Sequence, residues 1–220
     1  MKYATKKLLR DYTVTVTLAV GLAILIRTYL FEAYRIPNQS MNPALLAGDT
    51  IFVAKWPQKL NKNILPERGD IVVFKTTPKG PDFIRRVVGL PGDTLALKSG
   101  HLFLNGISLL APIAASAPCF REQITPGTDY QICLEAPLLP DFGPEKVPEN
   151  SLFVLEDSRA AIQKNPIRGI IPLESIQGKA LWIWLSIQGS GELPDDLNGK
   201  LNGHFSWLPR FRLERMFRHI

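Results

Sequence analysis

Arg35-Ile36-Pro37-Asn38-Gln39-Ser40-Met41-Asn42-Pro43-Ala44-Leu45 comes just after the one long apolar run in the chain. Each proline fixes its own φ and removes a backbone donor, and it pushes the residue before it toward extended conformations. Residues 36–45 therefore read as a stiff, extended loop that presents the Ser40 hydroxyl instead of burying it in a helix. A hydroxyl held this way can act as a nucleophile. A surface serine in a proline-rich turn fits the same residues, so the discrimination rests on the rest of the chain.

Upstream, residues 12–31 have an apolar heart at 14–26, and Arg27 is their one charge. About 20 apolar residues span a hydrocarbon core, and an arginine near one end can snorkel to the interface. Tyr29, Phe31 and Tyr34 then resemble an aromatic belt. Lys2, Lys6, Lys7 and Arg10 precede the run and predict an N-terminus inside the cell, with the main domain outside. A cleavable secretory signal would need a small-residue cleavage site, and Glu32-Ala33-Tyr34-Arg35-Ile36-Pro37 supplies none. The expectation is a cytoplasmic N-terminus (1–11), a single transmembrane helix (12–31) in the inner membrane and an extracytoplasmic domain (32–220).

The 220 residues are 45% hydrophobic and 21% charged, a globular mixture that excludes disorder. The net charge of +6 is concentrated before the apolar run and at Arg210, Arg212, Arg215 and Arg218. No helix-turn-helix, zinc spacing or aromatic RNA-binding signature accompanies it, so the expected partner is a lipid bilayer and not nucleic acid. The basic tail, 207–220, is expected to lie on the membrane surface. Cys119 and Cys133 lack the spacing of a redox motif and are too few for a zinc site. They are either two buried thiols or, outside the cytoplasm, one disulfide. No metal or other cofactor is expected, and the chain reads as a monomer.

From Gly48 onward, short apolar runs alternate with turn residues, the pattern of strands. Candidates are 50–56, 70–75, 83–90, 151–155 and 179–187. Residues 94–98 and 101–104 flank Ser99-Gly100 as a tight hairpin. Seven prolines crowd residues 107–150 and disfavour helix and central strand. That stretch reads as an irregular insertion with one strand near 130–134. The fold class is mainly β: one N-terminal helix, then a curled sheet or partly open barrel.

Five segments in order resemble the bacterial type I signal peptidases. They are the Ser40 box, Gly48-Asp49-Thr50-Ile51-Phe52-Val53, Arg68-Gly69-Asp70-Ile71-Val72-Val73-Phe74-Lys75, Phe83-Ile84-Arg85-Arg86-Val87-Val88-Gly89-Leu90-Pro91-Gly92-Asp93, and the stretch from Val147-Pro148 through Asp157-Ser158-Arg159 to Gly169-Ile170-Ile171-Pro172. The resemblance implies a membrane-anchored serine endopeptidase with a signal-peptidase-like β domain, whose partners are the signal peptides of exported preproteins. It implies a Ser–Lys dyad with Ser40 as nucleophile, a lysine whose pKa is lowered by burial, and Met41 and Ile84 beside the substrate.

At the lysine position this chain carries Arg85. A guanidinium has no lone pair to accept the serine proton, so Arg85 is expected to act electrostatically, lowering the Ser40 pKa or meeting the oxyanion. Glu156 stands where the family usually has glycine and Ser158 where it has asparagine. Ile162, Lys164, Asn165 and Pro166 replace the usual hydroxyl and charged residues. Lys164 and Lys75 are candidate relocated bases, each more readily read as an exposed surface lysine. A serine–histidine arrangement would have to use His101, expected at the solvent, or His204 and His219 near the C-terminus. The rival reading is a signal-peptidase-like protein that binds signal peptides or a membrane partner without cleaving.

Overall fold

The structure, a computed structural model, describes residues 2–55, 65–109, 119–125, 127–134, 140–159, 169–188 and 210–220. Helix α1 runs Lys2–Tyr29. The strands follow as β1 (Phe31–Arg35), β2 (Asp49–Lys55), β3 (Ile71–Lys75), β4 (Asp82–Gly89), β5 (Thr94–Lys98), β6 (His101–Leu104) and β7 (Ile107–Ser108). Beyond them lie β8 (Cys119–Thr125), β9 (Thr128–Cys133), β10 (Phe142–Lys146), β11 (Ser151–Leu155), β12 (Gly169–Pro172), β13 (Ile176–Gln188), β14 (Arg210–Phe211) and β15 (Arg218–His219). The fold is mainly β.

The main sheet has the order β1-β2-β13-β3-β4-β11-β12, with β14 and β15 added to β13. β13 is its spine: thirteen residues long, it pairs with β2 on one side and β3 on the other. Local chemistry fixes the hairpin expected at 94–104. Ser99 and Gly100 both take positive φ (49° and 80°), as a two-residue turn matched to strand twist requires, and Lys98 faces His101 across it.

Two expectations are revised. The helix starts ten residues earlier than 12 and stops at Tyr29, because 31–35 pair with β2 as a strand. Phe31 therefore packs on Trp182 and Tyr34 against the core of the Ser40 loop. Among the described residues no helix is long and apolar enough to cross a membrane. The proline-rich stretch holds more strand than expected: β8 and β9 form a hairpin, and β10 pairs with β5. Pro144 is tolerated because β10 is an edge strand whose register shifts between Phe142 and Glu145, where a missing donor breaks no ladder. In the tail, 210–220 fold back onto β13.

Three apolar clusters fill the domain. One joins the β5–β6 hairpin to β9 and β11, and another lies between β3, β4, β11 and β12. A third packs Ile36, Met41 and Leu45 of the Ser40 loop against Ile51, Val53, Ile84 and Ile183. The loop is thus part of the core, which is what fixes the position of Ser40.

Candidate active site

Ser40 sits in a run of turns, and not in the extended, solvent-facing loop that its prolines suggest. Its amide donates to Asn38 Oδ1 (3.2 Å), Asn42 N donates to Gln39 O (3.0 Å) and Leu45 N to Met41 O (2.8 Å). The residue is 3% exposed. It is covered because the segment after β11 lies across it, where Ser158 N donates to Ser40 O (3.0 Å).

Arg85, on β4, reaches the same point. Its Nη1 donates to Ser40 Oγ (3.1 Å) and to the carbonyl of Ile84 (2.7 Å). Nη2 donates to Glu156 Oε1 in a short, charge-assisted bond. Both side chains are enclosed, at 4% and 1% exposure. Burial pulls the Arg85 pKa below the usual guanidinium value, and the carboxylates of Glu156 and Asp157 push against that fall. The hydrogen bond to Ser40 therefore runs from arginine to hydroxyl, the reverse of what a general base would make.

Sequence reasoning flagged Glu156 as a departure without seeing its partner. Arg85 and Glu156 are 71 residues apart and form one buried ion pair, so the two departures are coupled: the added carboxylate neutralises the buried guanidinium. The next residues repeat the pattern. Arg86 Nε and Nη2 donate to the two oxygens of Asp157 (2.7 and 2.6 Å), and the guanidinium lies 4.4 Å from the centre of the Tyr130 ring. Burial opposes the charge on Arg86, but Asp157 outweighs it and raises the pKa. Arg159 completes the set, donating to Glu122 Oε2 (2.6 Å), to the Glu156 carbonyl (2.9 Å) and to Gly100 O (3.1 Å). Burial lifts the pKa of the Tyr130 hydroxyl, which donates to the same Glu122 oxygen (2.6 Å). Three buried cations thus meet three buried anions, as removal of charge from water demands. The legible signal was the doublet Arg85-Arg86 facing the doublet Glu156-Asp157.

The bond between Cys119 and Cys133 is a disulfide, which resolves the alternative left open. The pair faces across the β8–β9 hairpin, and Cys133 anchors the Glu156 segment: its amide donates to Asp157 O (3.0 Å) and its carbonyl accepts from Arg159 N (2.9 Å).

The remaining candidates separate clearly. Met41 and Ile84 share one cluster beside Ser40, but at 1% and 8% exposure they pack against the protein's own core. Lys75 faces Asp82 across the β3–β4 ladder, its ammonium 3.7 Å from that carboxylate. Arg85 is opposite Val72, which puts Lys75 three residues, roughly 10 Å, further along the strand. His101 is half-buried, and His219 is exposed on β15. Lys164, Ile162, Asn165, Pro166 and His204 lie outside the described residues.

Comparison with known proteins places the chain in a family. The model of the family described as signal peptidase, peptidase S26, matches residues 9–185. Signal peptidase I P of Bacillus subtilis subsp. natto is 32% identical over 177 residues, covering 80% of this chain and 88% of that protein. Signal peptidase I of Leptolyngbya laminosa is 35% identical over 187 residues, 81% of each chain. Signal peptidase I of Bacillus licheniformis is 31% identical over 180 residues, 81% of this chain and 90% of the other.

Proposed function

The chain belongs to the signal peptidase family of serine endopeptidases, peptidase S26, and we propose that it cleaves signal peptides with Ser40 as nucleophile, on the outer side of the membrane that anchors it. The observation that carries this reading is the buried contact of Ser40 Oγ with a cation, Arg85. A neighbouring cation favours the alkoxide over the hydroxyl and stabilises negative charge developing at the scissile carbonyl. Met41, within the loop, and Ile84 on β4 are packed in the core beside Ser40 and are assigned to back the substrate site from beneath. Arg85 accepts no proton, so in this reading the Ser40 proton leaves to solvent hydroxide and cleavage should quicken as pH rises.

Anchoring is assigned to α1. Val14, Val16, Leu18, Val20, Leu22, Ile24 and Leu25 are all exposed on it, the all-round apolar surface that lipid covers. Thr15 and Thr17 donate their hydroxyls to Asp11 O and Thr13 O, one turn back (2.8 Å each), which satisfies these two polar side chains within the helix. A disulfide fits an oxidising compartment for the β domain.

The same contact also favours a second reading, binding without cleavage, because Arg85 donates where a base would accept. Incubating purified protein with a model preprotein tests both. Cleavage that Ser40→Ala abolishes supports the peptidase, whereas no cleavage at any pH with retained binding of the signal peptide replaces it by the second reading. Membrane attachment is checked by alkaline carbonate extraction, and a protein released by carbonate would overturn the anchor.

A further inference from the structure

Leu185 is the last residue matched by the family model, yet residues 210–220 beyond it reach the Ser40 loop. β14 pairs with Ile187 and Gln188, and β15 with Trp182 and Ile183. The turn between them aims two arginines inward. Arg212 donates from Nη2 to Ala47 O (2.6 Å) and from Nε to Ser186 Oγ (2.8 Å), with Asp49 Oδ1 3.4 Å from Nη2. Arg215 Nη2 bridges Ala44 O (2.9 Å) and Asp49 Oδ2 (2.7 Å).

Their common target is Asp49, which is fully buried and closes the loop. Its backbone carbonyl accepts from Ile36 N (2.7 Å), and its side chain accepts from Leu46 N (2.9 Å) and Ser186 Oγ (2.6 Å). Ile220 packs against the cluster that contains Met41 and Leu45. Arg212 and Arg215 therefore hold both the carboxylate at the mouth of the loop and two carbonyls on the arm leading from Ser40.

We propose that Arg212 and Arg215 are positioning residues: the C-terminal segment clasps the nucleophile loop and fixes Ser40 against Arg85. This rests on the reading of Ser40 as nucleophile only for its consequence in catalysis; the clasp itself is a property of the loop. The carbonyls of Ala44 and Ala47 sit where the chain turns, and the forked donors of a guanidinium can meet a carboxylate and a carbonyl together.

The test is hydrogen exchange of the full-length protein, read on peptides covering 41–49 and, as reference, 94–104. Arg215→Gln and Arg212→Gln are expected to speed exchange in 41–49 by about 10- to 100-fold, the effect of a lost hydrogen bond to a charged group, and to leave 94–104 unchanged. Arg215→Lys keeps the charge at Asp49 but cannot also reach Ala44 O, so it should restore part of the protection. Arg210→Gln removes an exposed charge of the same sign and should change nothing. Unaltered exchange in 41–49 in both glutamine variants would overturn the clasp, as would equal acceleration in 94–104. The measurement needs no turnover, so it separates failure of the clasp from failure of the peptidase reading. Where the parent cleaves, kcat should fall in the glutamine variants with KM retained.

Discussion

Replacing Arg85 by lysine is expected not to restore a general base unless Glu156 is removed with it. Lysine starts from a pKa of about 10.4, and full burial lowers it by about 3–5 units. Arg85 and Glu156 are at hydrogen-bond distance and almost fully enclosed. An ammonium about 4 Å from that carboxylate, at an effective dielectric of about 20, gains about 4 kcal/mol, which is about 3 pKa units. In Arg85→Lys alone the lysine then titrates at about 8.4–10.4, and in Arg85→Lys/Glu156→Gly at about 5.4–7.4. At pH 7 the neutral amine should be up to about a thousandfold more populated in the double variant than in the single one. The assay is the pH profile of preprotein cleavage by the parent and both variants. The double variant should be the faster enzyme at pH 7, while the single variant should gain rate as pH rises past 8. A single variant within tenfold of the double at pH 7 would refute the reasoning, because Glu156 would then not be holding the proton on the lysine.

Glu156→Gly alone leaves the Arg85 guanidinium buried without its carboxylate, at a cost of about 3–5 kcal/mol and a fall in Tm of about 6–20 °C; a fall under about 3 °C by circular dichroism would show that the pair contributes little. Burial raises the Asp93 pKa, but bonds from Arg68, the Leu90 amide and Asn105 outweigh it and leave the pKa below the ordinary value. Its stabilisation is therefore complete above the unfolded value of about 3.9 and is lost as pH falls through the lower folded value. Arg68→Gln should flatten the drop in the urea midpoint below about pH 4, and equal drops in parent and variant would contradict this. Gly48 has φ +88°, and a Cβ there would lie 1.9 Å from the carbonyl oxygen of Ile187. Gly48→Ala should therefore cost at least about 1–3 kcal/mol, and it should speed exchange at Ile187, whose amide donates to Gly48 O; unchanged stability would mean the two segments can separate freely.

The elements read correctly from sequence were those with short-range causes. Ser99-Gly100 and Asn105-Gly106 take positive φ because of what those residues are, and β2, β3, β4 and β11 follow from runs of apolar residues between turns. The proline count misled in the insertion because it could not say which prolines fall on an edge, where β10 accommodates one. The same local rule mispredicted Ser40: prolines stiffen a loop, but the covering segment around Ser158 comes from 118 residues away.

The order of the five segments in the sequence by itself determined the family and marked Ser40 and Arg85 as the residues to watch. It also exposed the absence of a lysine, since a guanidinium cannot accept a proton in any fold. Only the tertiary structure decided what that arginine touches. Strand register brings Glu156 to Arg85, and the return of the C-terminus brings Arg212 and Arg215 to Asp49, across separations of 71, 163 and 166 residues. A buried charge needs a partner of opposite sign, but its own sequence neighbourhood does not say which of the distant candidates it will meet.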